Sequence, residues 1–161
     1  MKTLTFEIAI DAPRAVAWAQ MLGAESYKAW TAPFCEGTYF VGSWDKGAKI
    51  HFLAPSGDGM VAVIAENTPH AYVSIRHIGM IENGVEDTTS EKIRAWTPAY
   101  ENYRFVDAPG GCRVIVTLDT APEYEQFMRD TYPKALARLK ALCEQHAGNA
   151  RRAPTRQRGN T

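Results

Sequence analysis

Apolar and polar residues alternate strictly over residues 3–10. Leu4, Phe6, Ile8 and Ile10 fall on one side, and Thr3, Thr5, Glu7 and Ala9 on the other. A period of two marks a strand with one buried face. Asp11 then offers a helix cap, and Pro13 stands in the first turn, where its missing N–H costs no hydrogen bond. Val16, Ala17, Trp18 and Met21 give that helix an inner stripe. A second short helix is predicted over 25–30, stopped by Pro33.

Strands punctuated by glycine follow. The pattern predicts them at 35–42, 48–53, 60–65 and 71–78, with turns at Lys46-Gly47, at 55–59 and at Asn67-Thr68-Pro69. Residues 82–87, which include Glu82, Glu86 and Asp87, read as an acidic loop. A long strand is predicted over 92–106 and a last one over 113–118. Such hairpin spacings mean antiparallel pairing.

A helix is predicted over 122–146. Tyr124, Phe127, Met128, Thr131, Tyr132, Ala135, Leu139, Leu142 and Cys143 recur at intervals of three and four, which makes a broad apolar stripe. Pro133 loosens or kinks one turn, and Gly148 stops the helix. Residues 147–161 hold Arg151, Arg152, Arg156 and Arg158 without an acid or any periodicity, so they read as a disordered basic tail. Residues 1–146 are the domain. Its class is α+β: a curved antiparallel sheet of about six or seven strands, two short helices after the first strand, and a long C-terminal helix across the sheet. A helix laid across a bent sheet leaves room between them for a ligand.

Composition changes this little. The chain has 161 residues, 45% of them apolar and 22% charged, as ordinary single domains do. The formal net charge is zero, with 18 basic and 18 acidic residues. Setting aside the four tail arginines leaves 14 basic against 18 acidic residues, a net of −4, which repels nucleic acid and anionic membranes. No apolar run approaches the roughly 20 residues that span a bilayer. Glu7 and Asp11 interrupt the first apolar stretch, unlike a secretory signal. Cys35, Cys112 and Cys143 are odd in number and far apart, so reduced thiols and a cytoplasmic location are expected.

Several segments carry a family likeness. They are Ala12-Pro13 with Val16-Ala17-Trp18, Tyr27-Lys28-Ala29-Trp30-Thr31, and Phe40-Val41-Gly42-Ser43-Trp44 with Gly47 and Ile50. Glu101-Asn102-Tyr103 and Tyr132-Pro133-Lys134-Ala135-Leu136 complete the set. Through them the chain resembles the START-like helix-grip superfamily and, within it, proteins similar to the C-terminal domain of the Hsp90 ATPase activator. The resemblance covers residues 1 to about 146 and implies a helix-grip fold. The superfamily includes lipid carriers, hormone receptors, aromatase/cyclases and co-chaperone modules, so fold alone does not select a function.

Motifs narrow the choice. There is no G-x-S-x-G, no dinucleotide fingerprint and no phosphate-binding loop. His51, His70, His77 and His146 lie on separate elements without an H-x-x-x-H pair, and the acidic loop lacks EF-hand spacing; no metal or cofactor is expected. The cavity candidates are Trp44, His51, Met60, His77, Trp96, Glu101, Tyr103, Met128 and Tyr132, a mixture of rings, sulfur and a few polar groups that suits a flat apolar ligand. Glu101 is a candidate general base whose pKa burial would raise, with an ion pair to Arg76 or Arg94 as its structural alternative. The leading expectation is binding of a small hydrophobic or aromatic molecule without catalysis. The alternatives are an Hsp90-type interaction module and a cyclase- or dehydratase-like enzyme using His51, His77 and Glu101.

Overall fold

The computed structural model describes residues 1–152. Strand β1 (Lys2–Ile10) leads into helices α1 (Arg14–Leu22) and α2 (Ala24–Trp30). Strands β2 (Tyr39–Gly42), β3 (Lys49–Leu53), β4 (Gly59–Thr68), β5 (Tyr72–Glu82) and β6 (Val85–Asp87) follow. After helix α3 (Glu91–Arg94) come β7 (Ala99–Ala108) and β8 (Gly111–Thr120). A single 3-10 turn (Pro122–Tyr124) opens α4 (Glu125–Arg152). All eight strands form one antiparallel sheet in the order β1-β8-β7-β5-β4-β3-β2, with β6 on β5.

The alternation in β1 has the expected result. Leu4 and Ile10 are buried, and Phe6 and Ile8 pack against the same core. Val73, Ile75, Tyr103, Phe105, Val114 and Val116 extend that face across the sheet. Ala17, Met21, Tyr27 and Trp30 from the short helices close on it, and so do Tyr132, Leu136, Leu139 and Cys143 from α4. The helix stripe and the strand face are thus two halves of one core.

Five local expectations need correction. Asp11 does not cap α1 with its side chain. Pro13 holds the N-cap position without a side-chain bond, and the Asp11 N–H donates to Glu144 Oε2 at 2.8 Å, tying the link between β1 and α1 to the outer part of α4. Strand β2 starts at Tyr39, because Gly37 (φ 87°) and the Thr38 N–H to Cys35 carbonyl bond (3.3 Å) turn the chain first. The acidic segment is a β-hairpin. Asn83 (φ 52°) and Gly84 (φ 79°) take the two left-handed positions of a tight turn between β5 and β6. The long strand expected over 92–106 is broken. Ser90 accepts the Ile93 N–H at 3.3 Å and starts α3, and the cis Thr97–Pro98 bond precedes β7. Last, α4 passes through Gly148 to Arg152, with Ala147 still buried at its inner face, and the rest of the predicted tail lies outside the described residues.

Candidate functional site

Register between β5 and β7 sets the centre of the site. Ile75 pairs with Glu101 and His77 with Ala99, so His77 and Glu101 are diagonal neighbours on one sheet face. His77 Nε2 lies 3.0 Å from Glu101 Oε1. The other carboxylate oxygen, Oε2, accepts the hydroxyl of Tyr103, two residues along β7, at 3.4 Å and the hydroxyl of Tyr132, which α4 brings down from above. Phe6 stacks on the Tyr132 ring at 5.1 Å and Phe34 meets it edge-on at 4.9 Å, fixing its position.

The side chains of His77 and Glu101 are 8% and 21% exposed. Burial pushes the Glu101 pKa up, but bonds from His77, Tyr132 and Tyr103 outweigh it, and the net direction is down. This corrects the expectation of a raised pKa, and the partner is His77 rather than an arginine. Burial, reinforced by the Glu101 charge, pushes the Tyr103 and Tyr132 hydroxyls well above the usual phenol range. Tyr27 is raised for the same two reasons. The cluster is therefore a carboxylate held low in pKa by its hydrogen bonds with His77, Tyr103 and Tyr132.

A row of rings leads away from it. Phe52 meets the His77 ring at 5.7 Å, Trp44 meets Phe52 at 5.7 Å, and Phe40 meets Trp44 at 5.3 Å. Trp44 also lines an open depression of about 470 Å³ together with Trp18, Leu22, Asp45, Lys46 and Asn67. The Asn67 side-chain amide donates to the Trp44 carbonyl at 2.8 Å and holds that loop against β4. A second depression, about 300 Å³, lies between the β5–β6 hairpin and α3. Neither occupies the space under Tyr132, where Phe34, Trp30 and Tyr103 pack against one another or against the Tyr132 ring.

The structure thus gathers His77, Glu101, Tyr103 and Tyr132 and links them to Trp44. Met128 packs, half-buried, at the margin of the core. Met60 is half-buried on β4, where it pairs with Phe52 on one side and Met80 on the other. His51 goes elsewhere. Ile50 and Phe52 take the inward positions of β3, and His51 Nε2 bonds Glu86 Oε2 on β6 at 2.7 Å beside Lys49. It therefore does not join His77 and Glu101, as the cyclase expectation required. Trp96 sits in the turn after α3 rather than on the strand face. Sequence reasoning missed Tyr27, Phe34 and Phe52 as neighbours of the cluster. Tyr27 and Trp30, spaced three apart on α2, were the available signal.

Among the described residues no group of three or more His, Cys, Asp and Glu gathers in a metal-binding arrangement. No described helix is long and apolar enough to cross a membrane.

No protein-family profile matches the sequence, and no curated protein matches it. Solved structures do. A protein from Mesorhizobium loti superposes with a TM-score of 0.69 at 11% identity, covering 89% of this chain and 98% of that one. The Aha1 dimer from Colwellia psychrerythraea gives 0.68 at 15% identity over 89% and 97% of the two chains. The AHSA1-like protein from Aeromonas hydrophila gives 0.57 at 15% identity over 90% and 94%. Together with the curved eight-stranded sheet and the long closing helix, these similarities establish that the chain has the START-like helix-grip fold of AHSA1-like proteins.

Proposed function

We propose that the chain binds a small hydrophobic or aromatic molecule, without reacting with it, and that the ligand enters at the Trp18–Trp44 depression. The observation that carries this reading is the unbroken row of rings from that depression to the His77–Glu101 cluster. Aromatic walls supply apolar area, and the cluster supplies polar groups that orient a ligand. Side chains of this protein fill the row, so a ligand must displace Trp44 or Phe52 to enter it. Both are only partly buried.

Flat hydrophobes are expected to quench or blue-shift tryptophan emission, and Trp44→Phe is expected to remove most of the change. Covering about 200 Å² of apolar surface contributes on the order of 5 kcal/mol before entropic costs, so burial alone gives affinity no tighter than about 0.2 mM, and anything tighter draws on the polar groups. A fluorescence and thermal-shift screen over fatty acids, flavonoids, sterols and polyketide-like aromatics checks both expectations. Silence of every class in both signals would end the binding reading.

A second reading, an Hsp90-type interaction module, draws on the likeness to the Aha1 structure and on the side chains that fill the space beneath α4. It predicts stimulation of the chaperone's ATPase at micromolar protein. Clear stimulation together with a silent ligand screen would put this reading first.

A further inference from the structure

Among the described residues, two buried side-chain polar atoms lack a hydrogen-bond partner: Trp44 Nε1 and His77 Nδ1. Buried polar groups are nearly always paired, and each orphan costs free energy while it stays so. The two are not scattered. Each belongs to a ring that meets the same side chain, Phe52, at 5.7 Å.

They are also of opposite kind. An indole N–H only donates. The role of His77 Nδ1 follows from its surroundings. Glu101 Oε2 already accepts from Tyr103 and Tyr132, so this carboxylate is an acceptor, and His77 Nε2 presents its hydrogen to Oε1. In the neutral ring whose Nε2 hydrogen points at Glu101, Nδ1 carries the lone pair and is an acceptor, the tautomer that an outer carboxylate partner commonly selects. The row of rings thus holds one unused donor and one unused acceptor on either side of a partly buried phenylalanine.

We propose that Trp44 Nε1 and His77 Nδ1 are the two polar anchors of the ligand. The ligand class is then a flat aromatic with a carbonyl-type acceptor that takes the indole N–H and a hydroxyl or N–H that donates to the imidazole. Phe52 swings aside to admit it. This inference rests on the binding reading above and sharpens it: greasiness alone does not select the ligand, because the two orphan atoms read its polar edges.

Four matched probes separate the terms: para-hydroxybenzophenone carries both groups, benzophenone only the carbonyl, para-benzylphenol only the hydroxyl, and diphenylmethane neither. Titrated into the whole chain and followed by ligand-observed NMR, para-hydroxybenzophenone is expected to bind tightest. Loss of either group is expected to weaken binding by about tenfold, and loss of both by about a hundredfold. In Trp44→Phe the advantage of the carbonyl disappears and that of the hydroxyl stays; in His77→Phe the reverse holds. Comparison of the four probes on the unaltered protein needs no variant to fold. Equal binding of all four leaves the apolar pocket standing and overturns the polar anchors. An advantage that survives removal of its own anchor overturns that assignment. Failure of all four to bind, alongside a silent ligand screen, overturns the binding reading and the anchors with it.

Discussion

Glu101→Ala is expected to lower the stability of the fold by about 3–5 kcal/mol, because it leaves several buried donors facing nothing. Tyr132, Tyr103 and His77 all direct hydrogens at this carboxylate, from α4, β7 and β5. Its loss therefore loosens the contact between the closing helix and the sheet. Glu101→Gln keeps the shape and one acceptor, and should cost less, about 1–3 kcal/mol. The two variants also differ from the unaltered protein in acid. The Glu101 pKa is lower in the fold than in the unfolded chain. The unfolded state then binds more protons in that interval, so stability rises with pH across it. Glu101's contribution is complete above the unfolded carboxylate pKa and disappears as pH falls through the folded one. Urea unfolding at a series of acid pH values should show this slope in the unaltered protein and a flatter one in Glu101→Gln. An identical slope in both would remove Glu101 from the account.

Trp30→Ala is the second large effect, about 3–5 kcal/mol. Trp30 is 1% exposed. Its ring meets Tyr27 at 5.7 Å and Tyr103 at 6.2 Å, and its indole N–H donates to the Met21 carbonyl at 3.0 Å. One side chain thus joins α1, α2 and β7. Truncation opens a cavity and frees a buried carbonyl. For a domain of this size the melting temperature should fall by on the order of 10 °C. Trp30→Phe, which keeps most of the volume and loses the hydrogen bond, should fall by much less. Equal drops would show that the Met21 bond, rather than packing, fixes α2.

What the sequence disclosed depended on how regular each element is. Strand β1 and helix α4 were legible because Leu4, Phe6, Ile8 and Ile10 repeat every two residues, while Tyr132, Ala135, Leu139 and Cys143 repeat every three or four. Segment 92–106 was misread. Its apolar residues bridge a single helical turn and a proline, and Pro98 is the signal that argued against a continuous strand. The Asn83-Gly84 turn was hidden by flanking acids that look like a solvated loop, although Asn-Gly is a strong hairpin signal in itself. In the site, His77 and Glu101 were named from their strands, but their contact was not foreseeable, since it depends on the register of two strands 24 positions apart. His51 carried the same chemistry as His77 and went to the other face, because Ile50 and Phe52 had the stronger claim to the interior.

The pairing of β1 has a consequence for how the molecule is made. Each residue from Lys2 to Ile10 finds its partner between Cys112 and Thr120, whereas β2 to β6 pair with near neighbours in the chain. During synthesis the hairpins from β2 to β6 close early, but β1 waits until more than a hundred residues have followed it. Contacts of such long range slow folding, since the loop between them must be closed before they contribute. Until then Leu4, Phe6, Ile8 and Ile10 form an alternating apolar strand with no mate, the kind of segment that pairs with other chains. The emerging polypeptide is thus in need of shielding at β1, and release of that need coincides with the arrival of β8.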